Sequence, residues 1–241
     1  MPVAADQYSI QPLGDRALVI ELGSAVGAAV SARVRWFCER VLTIRPPGVR
    51  DVVPAFCTLT VHYDPLQFAG AGGSAFDAAR ESIEALLAEA PEPAETLARL
   101  VEIPVCYGGE YGEDLEPLAR EHGIPPSQVV ELHTGPTYFV GMLGFAPGFP
   151  YLAGLDPRLV TPRRSTPRPR VPRGSVAIGG EHTGVYPVES PGGWHLIGRT
   201  PITLFDVSRD PPSLLQAGDQ VRFVAIPPEE FARIETEGRW P

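Results

Sequence analysis

The chain of 241 residues contains no lysine and no asparagine; all 20 of its basic residues are arginine. The missing lysine excludes a Walker-type phosphate lysine, a kinase-type lysine and Schiff-base chemistry on this chain. A GC-rich coding sequence accounts for the bias, and the chemical consequence holds whatever the cause. Cysteine is scarce: Cys38, Cys57 and Cys106 are odd in number and widely spaced, so neither a disulfide framework nor a CxxC metal pair is expected. They lie in apolar segments and read as buried thiols. No run of about 18 apolar residues is present, which argues against a membrane span. The opening "MPVAADQYSIQPLGDRALVIEL" has no basic stretch followed by an apolar block, so no secretory signal is expected and the cytoplasm is the expected compartment. The catalytic patterns GxSxG and HExxH are absent, and five scattered histidines do not make a zinc site.

What is present is an ordinary globular composition, with 44% hydrophobic and 20% charged residues. Net charge is -9, which speaks against generic nucleic-acid binding. The charge is uneven. Met142 to Thr200 carries seven arginines against three acids, a positive island in an acidic chain.

The first part of the chain predicts a small α+β unit. "YSIQPLG" and "RALVIEL" form strands around a Gly14-Asp15 turn. A helix follows from a Ser24 cap, with Val26, Val30, Val34, Phe37 and Val41 as its apolar stripe. "VRDVVPAF" and "CTLTVHY" predict two more strands, and Ser74 caps a second helix. The order ββαββα predicts helices on one face of an antiparallel sheet over residues 1–92. Residues 93–241 read differently. Two short helices ending near Gly123 and Gly135 precede many short β-like runs, including "YFVGML", "GSVAIGG", "WHLIGRT", "PITLFDV" and "DQVRFVAI". Turns at such close spacing predict a small closed barrel.

The unusual chemistry sits between residues 144 and 200. "GFAPGFPYL", Gly144 to Leu152, combines aromatic side chains with glycines and prolines that break regular structure, and reads as a rigid loop. "TPRRSTPRPRVPRG", Thr161 to Gly174, contains five arginines and four prolines. Its prolines forbid a central strand and its guanidinium groups suit carboxylate or phosphate. An anion site and a solvated surface strap both remain open as readings of it. Gly192-Gly193-Trp194 lacks the helix and the Lys or Ser/Thr of a phosphate loop. His133, at the end of a helix, reads as a C-terminal cap or a functional group. Glu113-Asp114 reads as an acidic helix start.

"VEIPVCYGGEYGEDL", "ELHTGPTYFVGMLGFAPGFPYLAGLDPRLVTPRRSTPR", "GSVAIGGEHTGVYPVESPGGWHLIGRTPITLFD" and "AGDQVRFVAI" resemble the family of the B subunit of bacterial ATP-dependent 5-oxoprolinase. The same family has been called allophanate hydrolase subunit 1, includes the KipI kinase inhibitor, and is similar to part of the carboxyltransferase domain of urea carboxylase (subdomains C and D). The resemblance is densest from Val101 to Ile226. It implies a cyclophilin-like β-barrel after a small α+β domain. It also implies a homologous second subunit of the C type and a lactam-opening A subunit, which together use ATP to open 5-oxoproline; the chain alone is expected to be inactive. On this reading Arg163, Arg164, Arg168, Arg173 and Arg199 bind anionic groups. Phe145, Pro147, Phe149, Tyr151, His182 and Trp194 wall a pocket, and His133 and Tyr186 handle protons. The rings and arginines are expected to line one cleft. No metal, nucleic acid or membrane is expected. Two alternatives stand beside it: a component of carboxyltransferase type that works on another amide, whose biotin would have to come from a different protein, and a KipI-like binding module that inhibits a histidine kinase.

Overall fold

The computed structural model describes residues 8–24, 28–68, 73–88 and 98–238. The chain divides into two compact units, Met1–Leu97 and Ala98–Pro241. The boundary expected at 92/93, Val26 of the helix stripe, most of the Gly/Ala link after Phe68 and most of the Pro/Glu linker lie outside the described residues.

In the first unit, β1 (Ser9–Pro12) and β2 (Ala17–Glu21) form the expected hairpin, and β3 (Val49–Ala55) and β4 (Thr58–Tyr63) complete an antiparallel sheet in the order β1-β2-β4-β3. Alternation along β4 sends Leu59, Val61 and Tyr63 inward. They meet Val34, Phe37 and Val41 of α1 (Ala28–Ile44) and, beyond the four-residue helix α2 (Pro65–Phe68), Ala79, Ile83 and Leu87 of α3 (Ala75–Ala88). Spacings of three and four keep each helical set on one stripe. Ser74 caps α3: its hydroxyl accepts from the Asp77 N–H at 3.1 Å and donates to the Asp77 carboxylate at 2.6 Å.

The second unit contains β5 (Leu100–Tyr107), α4 (Leu115–His122), α5 (Pro126–Thr134), β6 (Tyr138–Leu143), β7 (Pro150–Ala153), β8 (Arg168–Val171), β9 (Ser175–Gly179), β10 (His182–Val185), β11 (Ser190–Gly192), β12 (His195–Arg199), β13 (Gln220–Ala225) and α6 (Pro228–Glu237). Seven of these strands close a barrel in the order β10-β7-β6-β13-β5-β12-β9, consistent with a cyclophilin-like fold. All neighbouring pairs are antiparallel except β5 with β13, which run parallel with Leu100 opposite Gln220. The barrel is filled by Ile103, Val105, Tyr138, Val140, Leu152, Val176, Ile178, Val185, Ile197, Val221 and Phe223, and α4 and α5 add Leu115, Leu118, Ala119 and Val129 to this core. Gly123 ends α4 in the left-handed region at φ 66°, whereas Gly135 ends α5 with right-handed geometry, so that residue is no left-handed cap.

Three local expectations change. "PITLFDV" holds no strand, only an isolated bridge between Phe205 and Ser213. "GFAPGFPYL" is not loop throughout, because from Pro150 onward it is β7. The arginine strap does contain a strand, but a peripheral one: β8 pairs only with β11, in a two-stranded ribbon outside the barrel. Proline is tolerated there because an edge strand has ladder positions that need no donor. Among the described residues no helix is long and apolar enough to cross a membrane.

Candidate functional site

The site is built on the outer face of the barrel. Register places Tyr151 of β7 opposite Gly184 of β10, Gly184 opposite Ala177 of β9, and Ala177 opposite Leu196 of β12. Their neighbours Leu152, Val185, Ile178 and Ile197 point into the barrel, so this row points out. The two small residues leave a hollow. A side chain on Gly184 would lie 3.0 Å from the Phe149 ring and 3.1 Å from the Trp194 ring. The rings occupy that hollow and form a second apolar cluster of Phe149, Val171, Ala177, Tyr186, Trp194 and Leu196. Phe149 is its hub, edge-to-face with Tyr151 (5.0 Å), Tyr186 (5.2 Å), Trp194 (5.5 Å) and Phe145 (5.5 Å). Each buried ring contributes roughly 1.5–3 kcal/mol by burial and about 0.5–1.5 kcal/mol more per well-placed ring contact. Gly192 lies so close that a side chain there would strike the Tyr186 hydroxyl at 2.3 Å.

Phe145 differs from the other rings. It is 63% exposed, and its φ of 70° lies in the left-handed region that bulky residues avoid. Gly148, at φ 78°, shares the tight bend closed by the Gly144 N–H to the Phe149 carbonyl; Gly144 itself has no positive φ. The bend borders a cleft of about 400 Å³ lined by Leu143, Phe145, Pro147 and Ser213, with the loop backbone between them.

A separate cleft of about 380 Å³ is lined by Glu121, Pro162, Arg163, Arg164, Ser165, Thr166 and His195. The expected single cleft, rings on one side and arginines on the other, is therefore corrected to two. The reason is the strap's anchoring. The Arg164 N–H donates to the Gly193 carbonyl at 2.8 Å and His195 Nε2 donates to the Pro162 carbonyl at 2.9 Å. This draws the arginines along the Gly193–His195 segment, away from the Phe145 bend; Trp194 lines neither cleft but packs on Phe149 and faces Arg163. The Arg163 guanidinium lies 5.8 Å from the centre of the Trp194 ring, within cation–π range.

Asp114 and Arg168 do not line this second cleft but lie behind it, where Asp114 holds one arginine that does, Arg164. Asp114 precedes α4 but makes no side-chain cap. Instead it is buried, and its Oδ1 accepts from Arg168 Nη2 at 2.8 Å and Arg164 Nη1 at 3.2 Å, while Oδ2 accepts from the Leu196 N–H at 2.7 Å. Glu113, more exposed, takes Arg168 Nε at 2.7 Å. Burial pulls the Arg168 guanidinium down, but Asp114 and Glu113 outweigh that and hold it above its ordinary value. The acidic pair is thus not a helix start alone. No local signal shows this, because its partners lie 50, 54 and 82 residues away.

The remaining candidates fall elsewhere. Arg173 donates to Thr203 Oγ1 and Arg199 donates to the Arg173 carbonyl, so these two serve a different turn and line neither cleft. His182 is half-buried, its pKa lowered by burial, and it bonds the Leu152 backbone. The Tyr186 hydroxyl is pushed up by burial and bonds the Trp194 backbone, so at neutral pH it is a proton donor rather than a base.

His133 is not at the site. It is completely buried in the barrel core, stacked on Phe223 at 4.5 Å. Thr183 Oγ1 spends its hydrogen on the Ala177 carbonyl, so it accepts from His133 Nε2–H at 2.8 Å. Nδ1 is then the acceptor for the Tyr107 hydroxyl at 2.8 Å. Burial lowers the imidazole to about 3. The residue is neither a cationic cap nor a group that can reach substrate. Among the described residues no three His, Cys, Asp or Glu side chains are grouped to hold a metal ion.

Known proteins resemble this chain in sequence and in fold. The family described as "Carboxyltransferase domain, subdomain C and D" matches residues 8–215. The chain is 43% identical over 235 residues to a Bacillus subtilis protein named as the B subunit of 5-oxoprolinase, covering 96% of this chain and 98% of that one. A protein of the same name from Escherichia coli O157:H7 is 44% identical over 214 residues, covering 88% of this chain and 93% of its own length. The crystal structure of Kluyveromyces lactis urea carboxylase superposes with a TM-score of 0.74 at 22% identity, covering 95% of this chain and 23% of that protein, and so shares the fold. The chain belongs to the carboxyltransferase-domain family of subdomains C and D, the family of the 5-oxoprolinase B subunits.

Proposed function

We propose that the chain is the B subunit of an ATP-dependent 5-oxoprolinase and works only with a homologous subunit of the C type and a lactam-opening A subunit. The observation that carries this reading is the likeness to the Bacillus subtilis protein over nearly the full length of both chains. The reaction takes 5-oxo-L-proline, ATP and water to L-glutamate, ADP and phosphate. The lactam oxygen takes the γ-phosphoryl group and ADP leaves. Water then adds to the activated carbon, and the ring C–N bond breaks as the nitrogen takes a proton, giving the amine and a γ-glutamyl phosphate. A second water displaces phosphate from that acyl phosphate and leaves the carboxylate of glutamate.

This chain's part is electrostatic and positional. Arg163 and Arg164 line a cleft open enough for an oxyanion and rigid enough to orient it, since the strap is fixed to the Gly193 and Pro162 carbonyls. Trp194 and Phe149 supply an apolar floor beneath the strap that keeps its underside dry. The absence of lysine suits a chain that contributes only part of a nucleotide-using site. Proton transfer is assigned to Tyr186 or to the partner subunits, not to His133.

The test is to co-express the chain with its neighbouring gene products and to measure 5-oxoproline-dependent ADP release from the purified assembly. ADP release that requires all subunits supports the reading. An intact assembly with no 5-oxoproline-dependent release overturns it.

A further inference from the structure

Beyond the arginines themselves, we infer that Asp114 is a positioning residue that turns Arg164 and Arg168 into a single oxyanion clamp. This rests on the reading of the cleft as the anion-holding part of a 5-oxoprolinase. It identifies which atoms are left to hold the ligand and what holds those atoms.

A guanidinium has five N–H hydrogens in a fixed plane and must place most of them. Asp114 Oδ1 takes one nitrogen from each arginine, and Glu113 takes Arg168 Nε. Arg164 Nε and Arg168 Nη1 are then both shielded from solvent and without a hydrogen-bond acceptor among the described residues. A shielded charged donor with no acceptor costs free energy. Two of them on neighbouring residues that share one carboxylate oxygen make a site short of acceptor oxygens. A carboxylate or phosphoryl group supplies two or three such oxygens.

Asp114 is itself rigid, which a clamp requires. Its N–H donates to the Leu196 carbonyl at 2.9 Å, its Oδ2 accepts the Leu196 N–H, and its own carbonyl receives the Leu118 N–H of α4. It therefore ties α4, β12 and the strap together. With side chains only 6% exposed for Asp114 and 17% for Arg168, the pair is weakly screened by water. Asp114 and Glu113 together match the two guanidinium charges, but only Asp114 is buried with them. Glu113, 60% exposed, sits at the solvent side, where screening weakens its hold.

The test uses the full chain and two probes separately, inorganic phosphate and 5-oxoproline, and follows the guanidinium Nε–H resonance of Arg164 by NMR. The expected result is a saturable shift with at least one of the probes, and an affinity at least tenfold weaker in Asp114→Asn, which keeps the shape but loses the charge. A shift with phosphate alone assigns the clamp to the phosphoryl group; a shift with 5-oxoproline assigns it to the substrate carboxylate. No shift with either probe, or unchanged affinity in a folded Asp114→Asn protein, overturns the inference. Should Asp114→Asn fail to fold, Arg164→Lys keeps the charge and removes the Nε–H. Binding in that variant is followed on the resonance of the Leu196 backbone N–H, which donates to Asp114; it is expected to weaken tenfold, and wild-type affinity overturns the inference equally. Because binding is read on this chain alone, failure of the clamp is distinguishable from failure of the assembled enzyme to release ADP.

Discussion

At the scale of single residues, two side chains make contrasting predictions. Arg163 stands on the Trp194 ring at the mouth of its cleft, where an exposed cation–π contact is worth only about 0.5–1 kcal/mol. Arg163→Ala is therefore expected to move the melting temperature by no more than about 3 °C. In the assembled enzyme it should lower kcat/KM for 5-oxoproline at least tenfold; steady-state kinetics at wild-type efficiency would remove Arg163 from the site. His133 acts on stability instead. Its imidazole titrates near 6.5 when unfolded and at about 3 in the barrel. Between those values the unfolded chain binds a proton that the native chain refuses, so stability falls as pH falls through that window, by about 1.4 kcal/mol per pH unit from this group. Urea unfolding of wild type and His133→Gln at pH 7, 5 and 4 checks this: the variant should lose stability less steeply, and parallel losses would contradict the assignment. The sequence made His133 prominent and Asp114 invisible for related reasons. A histidine near a helix end looks functional until its burial is known. An aspartate before a helix looks like a cap until its distant arginines are found.

At the scale of elements, strands were legible where β-branched runs alternate, as in β4, β9, β12 and β13. They were hidden where glycine and proline carry the function. The strand β7 begins at a proline, and β10 reads "HTGV", with a glycine where the Phe149 and Trp194 rings need space. The resemblance to a known family supplied the barrel type that the short runs alone left general. Gly184 gives the element-scale prediction. A side chain there would lie 2.7 Å from the Pro150 carbonyl, a backbone atom that cannot swing aside, and would press on both rings. Gly184→Ala is expected to cost about 1–3 kcal/mol, as overpacking does. The loss should be seen as a lower melting temperature with a weakened near-ultraviolet circular dichroism signal from Trp194. An unchanged signal would mean that the rings are not set by this strand.

At the scale of the whole chain, each unit has its own apolar core. Residues 98–241 expressed alone are expected to give a β-rich protein that melts cooperatively; a non-cooperative melt would show that this unit depends on the first. The division into an α+β unit and a barrel was readable from the change in pattern near Leu100, because helical spacing gives way there to short alternating runs. What pattern could not show is how the barrel shuts. Its first strand, β5, lies beside its last, β13, about 120 residues later. During synthesis β5 therefore emerges long before its parallel neighbour exists, and for that interval one of its edges is open to other chains. The barrel is sealed only once Gln220–Ala225 has left the ribosome. A chain stopped short of Gln220 is left with an unpaired seam, exposed to aggregation and to chaperone capture.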